Sequence, residues 1–170
     1  ELSRINLKEF RRILPYMPDI EGWIGAEAHY IDSGPYMMVS SDLRVDEFKY
    51  EGSALGNWEF SGVYLPGEEK DHHLDAYIRR DGKEIAHLGG IYLPAAEGTG
   101  SLSADMAFEH FPLNVVNPFV PDRMVELNGD IDGTLSMKGD PAKPLLNGEL
   151  ALDSVTFFMP EMSAMFRFDN

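Results

Sequence analysis

Residues 125–139 read Val125-Glu126-Leu127-Asn128-Gly129-Asp130-Ile131-Asp132-Gly133-Thr134-Leu135-Ser136-Met137-Lys138-Gly139. Every odd position is apolar or glycine, and every even position is polar. Successive side chains of a strand point to opposite faces, so this alternation predicts a strand with one apolar and one wet side. Asp140-Pro141-Ala142-Lys143-Pro144 reads as a turn. Beyond it the pattern resumes, with Leu146, Gly148, Leu150 and Leu152 on one side and Asn147, Glu149 and Asp153 on the other. The pair predicts two antiparallel strands. Their apolar side, formed by Leu127, Ile131, Leu135 and Met137 with Leu146, Leu150 and Leu152, is the candidate functional surface.

The same period runs through most of the chain. Ile20, Gly22, Ile24, Ala26, Ala28 and Tyr30 share one parity, against Glu21, Trp23, Glu27 and His29. Ile20, Ile24 and Ala28 therefore join the candidate lining. Asp32-Ser33-Gly34-Pro35 is a turn signal, followed by Met37, Val39, Leu43 and Val45 opposite Arg44 and Asp46. Trp58, Phe60 and Tyr64 share a face. Leu74, Ala76 and Ile78 lead into Asp81-Gly82, which supplies the positive φ angles of a tight hairpin, and Ile85, His87 and Gly89 come out of it. Leu102, Ala104, Met106 and Phe108 alternate with Ser101, Ser103, Asp105 and Glu109.

Two short segments break this period. Leu7, Phe10, Ile13 and Leu14 are spaced as one face of a helix over residues 6–14. Asn6 is its expected cap, Glu9 the other half of a capping box, and Pro15 its stop. Residues 112–117 predict a helical turn opened by Pro112 and ended by Pro118. The expected architecture is mainly β: one domain over residues 1–170, with nine or ten strands and one or two short helices. Pro15-Tyr16-Met17-Pro18-Asp19 recurs as Pro118-Phe119-Val120-Pro121-Asp122, each copy followed by alternating residues. This is a weak internal repeat of 6–50 in 112–158, consistent with a sheet that grows by similar blocks.

Composition excludes several classes. The net charge of −15 argues against nucleic acid and against adsorption to an anionic membrane surface. Cysteine is absent, which removes disulfides, thiolate metal sites and cysteine nucleophiles. Apolar runs are too short to span a bilayer as a helix. The chain starts at Glu1 with no signal-like region, and Ala164, Phe166 and Phe168 still alternate near its end, so it is expected to be a segment of a longer protein.

Catalytic and metal motifs are not found. His72 and His73 are adjacent and diverge on a strand, while His29, His87 and His110 are scattered. Asn128, Asp130 and Asp132 match the start of an EF-hand loop, but the position for its bidentate glutamate is Gly139. The wet side of a strand explains them better. Glu68-Glu69 reads as a solvated loop pair, and Gly98-Thr99-Gly100 opens no helix on which to seat a phosphate. No enzyme, cofactor or metal is expected.

The ordered set Leu127-Asn128-Gly129-Asp130-Ile131-Asp132-Gly133-Thr134-Leu135, Gly139, Pro144, Leu146-Asn147-Gly148-Glu149-Leu150-Ala151-Leu152, Phe157 and Pro160 resembles the TamB family of AsmA-like envelope proteins. Phe108 through Asp122 is similar to the family's proline-rich lead-in. The likeness covers about residues 108–170 and extends loosely to 1–60 through the repeat, while 61–107 fall outside it. It implies an elongated antiparallel sheet curled into a half-pipe, or β-taco, with an apolar concave face. It further implies a periplasmic location, as part of an inner-membrane-anchored protein of a diderm bacterium. Implied partners are phospholipid acyl chains, unfolded outer-membrane protein, and an Omp85 or TamA-type protein reached through the full-length molecule. The family brings no catalytic residues.

A sheet with one apolar face must cover it. Acyl chains fit such a trough, and the glycines at 129, 133 and 148 leave room for close packing or curvature. The alternative is a closed β-sandwich serving as a binding or scaffold module, for instance for carbohydrate on Trp23, Trp58 or Tyr77. The two readings differ in whether Leu127, Ile131, Leu135, Leu146, Leu150 and Leu152 line an open trough or are sealed between two sheets.

Overall fold

The computed structural model describes residues 2–13, 18–32, 37–67, 71–95, 98–120 and 124–168. The first copy of the repeat at Pro15–Met17, the end of the second at Pro121-Asp122, the turn at Ser33–Pro35 and the Glu68-Glu69 pair lie outside these residues.

The strands are β1 (Leu2–Asn6), β2 (Ile20–Asp32), β3 (Met37–Tyr50), β4 (Ser53–Pro66), β5 (His72–Arg80), β6 (Lys83–Leu93), β7 (Ser101–Pro112), β8 (Glu126–Gly139), β9 (Leu145–Met159) and β10 (Ala164–Phe168). An α-helix, α1 (Lys8–Ile13), follows β1, and a 3-10 helix, η1 (Leu113–Phe119), follows β7. All ten strands form one antiparallel sheet in chain order. The meander does not close, because β1 pairs with β2 and β10 with β9. No helix among the described residues is long and apolar enough to cross a membrane.

Residues directly opposite each other in a ladder share a face. The register threads Phe60, Ile78, Ala86, Phe108, Gly133 and Leu150 into one row across six strands. The neighbouring row on that face is Gly62, Ala76, Leu88, Met106, Leu135 and Gly148. A row of the other face reads Ser61, Tyr77, His87, Ala107, Thr134 and Glu149. One face is thus apolar from strand to strand and the other mostly polar.

Among the described residues no second sheet covers the apolar face. Among the described residues the buried side chains are Leu7, Leu55, Ile85, Ala86, Ala104, Val115 and Val155, and no large side chain is fully buried. Leu146 is 65% and Leu150 43% exposed. The sandwich alternative is therefore corrected: those leucines are not sealed between two layers, because the chain supplies a single layer.

The sheet curls at one end, and its irregularities show how. Ladders slip at Gly22 on β2, between Val45 and Phe48 on β3, between Ile78 and Arg79 on β5, between Phe108 and Phe111 on β7, and at Gly129 on β8. Glu47, His110 and Ser154 take positive φ at these slips. A bulge bends its strand and adds twist, so a line of bulges creases the sheet. η1 sits in the bend. The Phe119 ring lies 4.4 Å from that of Tyr50 on β3. Two residues earlier, Asn117 bonds the backbone of Leu127 on β8. In a flat sheet β3 and β8 would stand about 24 Å apart; here one turn of η1 reaches both.

Two local expectations change, and the expected β5–β6 hairpin carries a bulge. The helix expected at residues 6–14 starts at Lys8, and β1 precedes it. Asn6 does cap it, accepting the Lys8 N–H at 3.0 Å, but Glu9 bonds Arg12 at 3.0 Å instead of reaching back. η1 begins after Pro112, which belongs to β7, and contains Pro118 within it. Finally, Ile85 sits at the β5–β6 bulge, so Ala86, Leu88 and Gly90 face Ile78, Ala76 and Leu74, whereas His87 and Gly89 face Tyr77 and Asp75 on the polar side.

Candidate apolar trough

The ten residues expected to line the trough lie on one face. Ile20 stands opposite Tyr50, Ile24 opposite Val45 and Ala28 opposite Ser41. Leu127 faces Phe157, and Ile131 sits between Phe111 and Leu152. Leu135 lies between Met106 and Gly148, and Met137 between Ala104 and Leu146. Leu150 pairs with Gly133. They form two groups, on β2 and on β8–β9, joined by five strands that the initial lining omitted. The joining residues include Leu43, Phe60, Ile78, Leu88 and Met106. Alternation marks most of them in the sequence, whereas on β6 the bulge conceals it.

The apolar face is concave over β4–β8. A concavity of about 310 Å³ is walled by Leu74, Leu88, Leu102 and Met137, floored by Gly90 and Ala104, and rimmed by Tyr64, His72 and Tyr92. The floor is low because a Cβ on Gly90 would come within 2.7 Å of the Ala104 Cβ. At the creased end, Trp58 stacks on Phe60 at 6.0 Å and donates its indole N–H to the Leu55 carbonyl at 3.0 Å. Arg80 joins that end from the apolar face, lying over the Trp58 ring at 5.9 Å and donating to the same carbonyl at 2.8 Å.

The polar face carries cross-strand ion pairs. Glu21 on β2 meets Lys8 of α1 at 2.8 Å and Lys49 of β3 at 3.5 Å. The hydrogen bond from Lys8, helped by the charge of both lysines, lowers the Glu21 carboxyl below its ordinary value. Arg44 pairs with Glu59 at 3.3 Å and Arg79 with Glu84 at 3.5 Å. Tyr77 stacks on His87 at 4.4 Å, and its hydrogen bond to Asp75, followed by that carboxylate's charge, raises its phenol. Trp23 and Tyr77 are on this face and Trp58 on the other, so the three aromatics make no common platform for a sugar.

Among the described residues no three His, Asp or Glu side chains converge as a metal site. His72 and His73 diverge to opposite faces. Asp132 accepts the His110 backbone N–H at 2.8 Å and stands 3.1 Å from its ring nitrogen, within a strand and not a calcium loop.

What the geometry offers is an uncovered apolar surface, curled and stopped at one end by η1, on a sheet whose other face is charged. No family model matches the chain, and no curated protein or solved structure is detectably similar to it.

Proposed function

We propose that this chain is a periplasmic segment of a TamB-like translocation and assembly protein. Its apolar trough takes up phospholipid acyl chains in transit between the inner and outer membranes, or apolar segments of outer-membrane proteins before assembly. The full-length protein is then anchored in the inner membrane of a diderm bacterium and meets an Omp85 or TamA-type partner. One observation carries this reading: a ten-stranded sheet presents one apolar face across all its central strands and has no second layer to cover it. Exposed apolar surface of that extent marks a binding site. An acyl chain gains about 0.8 kcal/mol for each methylene it moves from water onto such a surface.

The test places a photo-crosslinking residue at Leu135 or Leu150, and as a control at Thr134 on the polar face, in the full-length protein in cells. Labelled phospholipid trapped at the first two positions and not at the third is the expected result. Trapping of unfolded outer-membrane protein instead assigns the trough to chaperoning. A folded protein that traps neither would falsify the proposal.

A further inference from the structure

The apolar face has a polar mark at the rim of its concavity over β4–β8. His72 is the one histidine that the register places on this face: His29 faces Ser40, His73 faces Ile91 and His87 faces Tyr77, all on the polar side, while His110 occupies a bulge. The Tyr64 hydroxyl is hydrogen-bonded to His72 Nδ1, and the two rings stack at 5.5 Å. Tyr92 closes the other side of the imidazole at 5.9 Å. A phenol that donates to Nδ1 leaves the proton of a neutral imidazole on Nε2, and this is the tautomer the proposal takes. A single N–H donor is thereby fixed between two tyrosines, beside a concavity otherwise lined by leucines, Met137 and a small-residue floor.

Resting on the trough reading, the geometry points to a seat for one single-chain amphiphile. Its headgroup oxygen accepts the His72 Nε2 proton, and its chain lies over Gly90 and Ala104 against Leu102 and Met137. A concavity of about 310 Å³ suits one chain and not a folded partner. Two described carboxylates at this end are hydrogen-bonded to other groups. Asp71 bonds His73 at 2.8 Å, and Asp140 accepts from the Thr99 hydroxyl at 2.7 Å and the Ala142 N–H at 2.8 Å. An anionic headgroup at His72 therefore meets a donor and two aromatic edges. The trough is in this way polarised, with heads at the His72 rim and tails toward β8.

Dodecanoate and dodecanol, both below their micelle concentrations, are titrated calorimetrically into the 170-residue chain, with acetate as the tail-less control. His72→Phe keeps the ring and removes the donor, and Leu74→Trp fills the concavity from a position that is 42% exposed. The expected result has three parts. Dodecanoate binds and acetate does not. H72F weakens dodecanoate about tenfold and leaves dodecanol within about twofold. L74W weakens both. Circular dichroism checks that each variant keeps its sheet. Equal dodecanoate affinity in folded H72F and in the original chain overturns the headgroup seat; if L74W still weakens both probes, the trough reading survives. Failure of the unsubstituted chain to bind either amphiphile, while Leu135 captures lipid in cells, likewise overturns the seat alone. No binding and no capture remove both.

Discussion

Gly133 shows what single positions do in this sheet. It sits at φ +138°, and a Cβ there would lie 2.2 Å from the Glu149 carbonyl oxygen on the neighbouring strand. Its diagonal neighbour Gly148 is as tight, with a Cβ 2.1 Å from the Thr134 oxygen. The sequence places both glycines on the apolar side, and alternation makes that legible. Which of them the backbone holds at positive φ is not legible, because that depends on how closely β8 and β9 approach. Gly133→Ala should cost about 1–3 kcal/mol, read as a lower urea midpoint with unchanged slope. Titratable residues are equally local. Hydrogen bonds from Thr99 and then from the Ala142 N–H lower the Asp140 carboxyl below its ordinary value. Its contribution is therefore complete above the pKa of an unfolded aspartate, and it is lost as pH falls through the lower folded value. Asp140→Ala should remove that acid-limb dependence and loosen the β8–β9 turn, measured by urea midpoints from pH 6 down to pH 2.

At the scale of elements, legibility follows the bulges. Where a strand is regular, as in β8 and β9 beyond Gly129, period two identifies it and its faces. A bulge inserts one residue and flips the parity of everything beyond it, which is why His87 and Gly89 lie on the other face from Leu74 although Ile85 shares their parity. β1 escaped notice for a related reason: its ladder slips between Leu2 and Ile5, so its five residues never show clean alternation. η1 was recognisable from its prolines, but its role was not. β7 ends at Pro112, leaving the outer edge of β8 open at Leu127. Asn117 fills that gap, donating its amide to the Leu127 carbonyl and accepting the Leu127 N–H, both at 2.8 Å. A side-chain amide thus replaces a strand, which no periodicity encodes. Asn117→Ala should cost about 1–2 kcal/mol and speed exchange of the Leu127 amide proton well beyond that of its neighbours, as read by NMR. If the Leu127 amide exchanges no faster, the clamp contributes nothing to the closed end.

At the scale of the whole molecule, the decisive property is the missing second layer. An ordinary domain of this length buries its apolar faces against one another, and a charge placed there unfolds it. Here the outcome should depend on position along the trough. Val155, 5% exposed beside the crease, is one of the few buried side chains among the described residues. Leu146, 65% exposed on the same face, touches solvent. Val155→Asp should therefore destabilise by about 3 kcal/mol or more, whereas Leu146→Asp should shift stability by no more than about 0.5 kcal/mol. The same asymmetry reaches ligand capture. Leu146→Asp puts a charge beside Met137 in the trough, so it should abolish lipid trapping at Leu135 while leaving the melting temperature nearly unchanged. A mild non-ionic detergent should raise the melting temperature of the unsubstituted chain by binding the folded apolar face, and do so less for Leu146→Asp. Were Leu146→Asp to unfold the chain as Val155→Asp does, the face would be a covered core and not a trough. Stability that falls for one substitution and holds for the other, with capture lost in the second, separates an open surface from a sealed one in a single pair of variants.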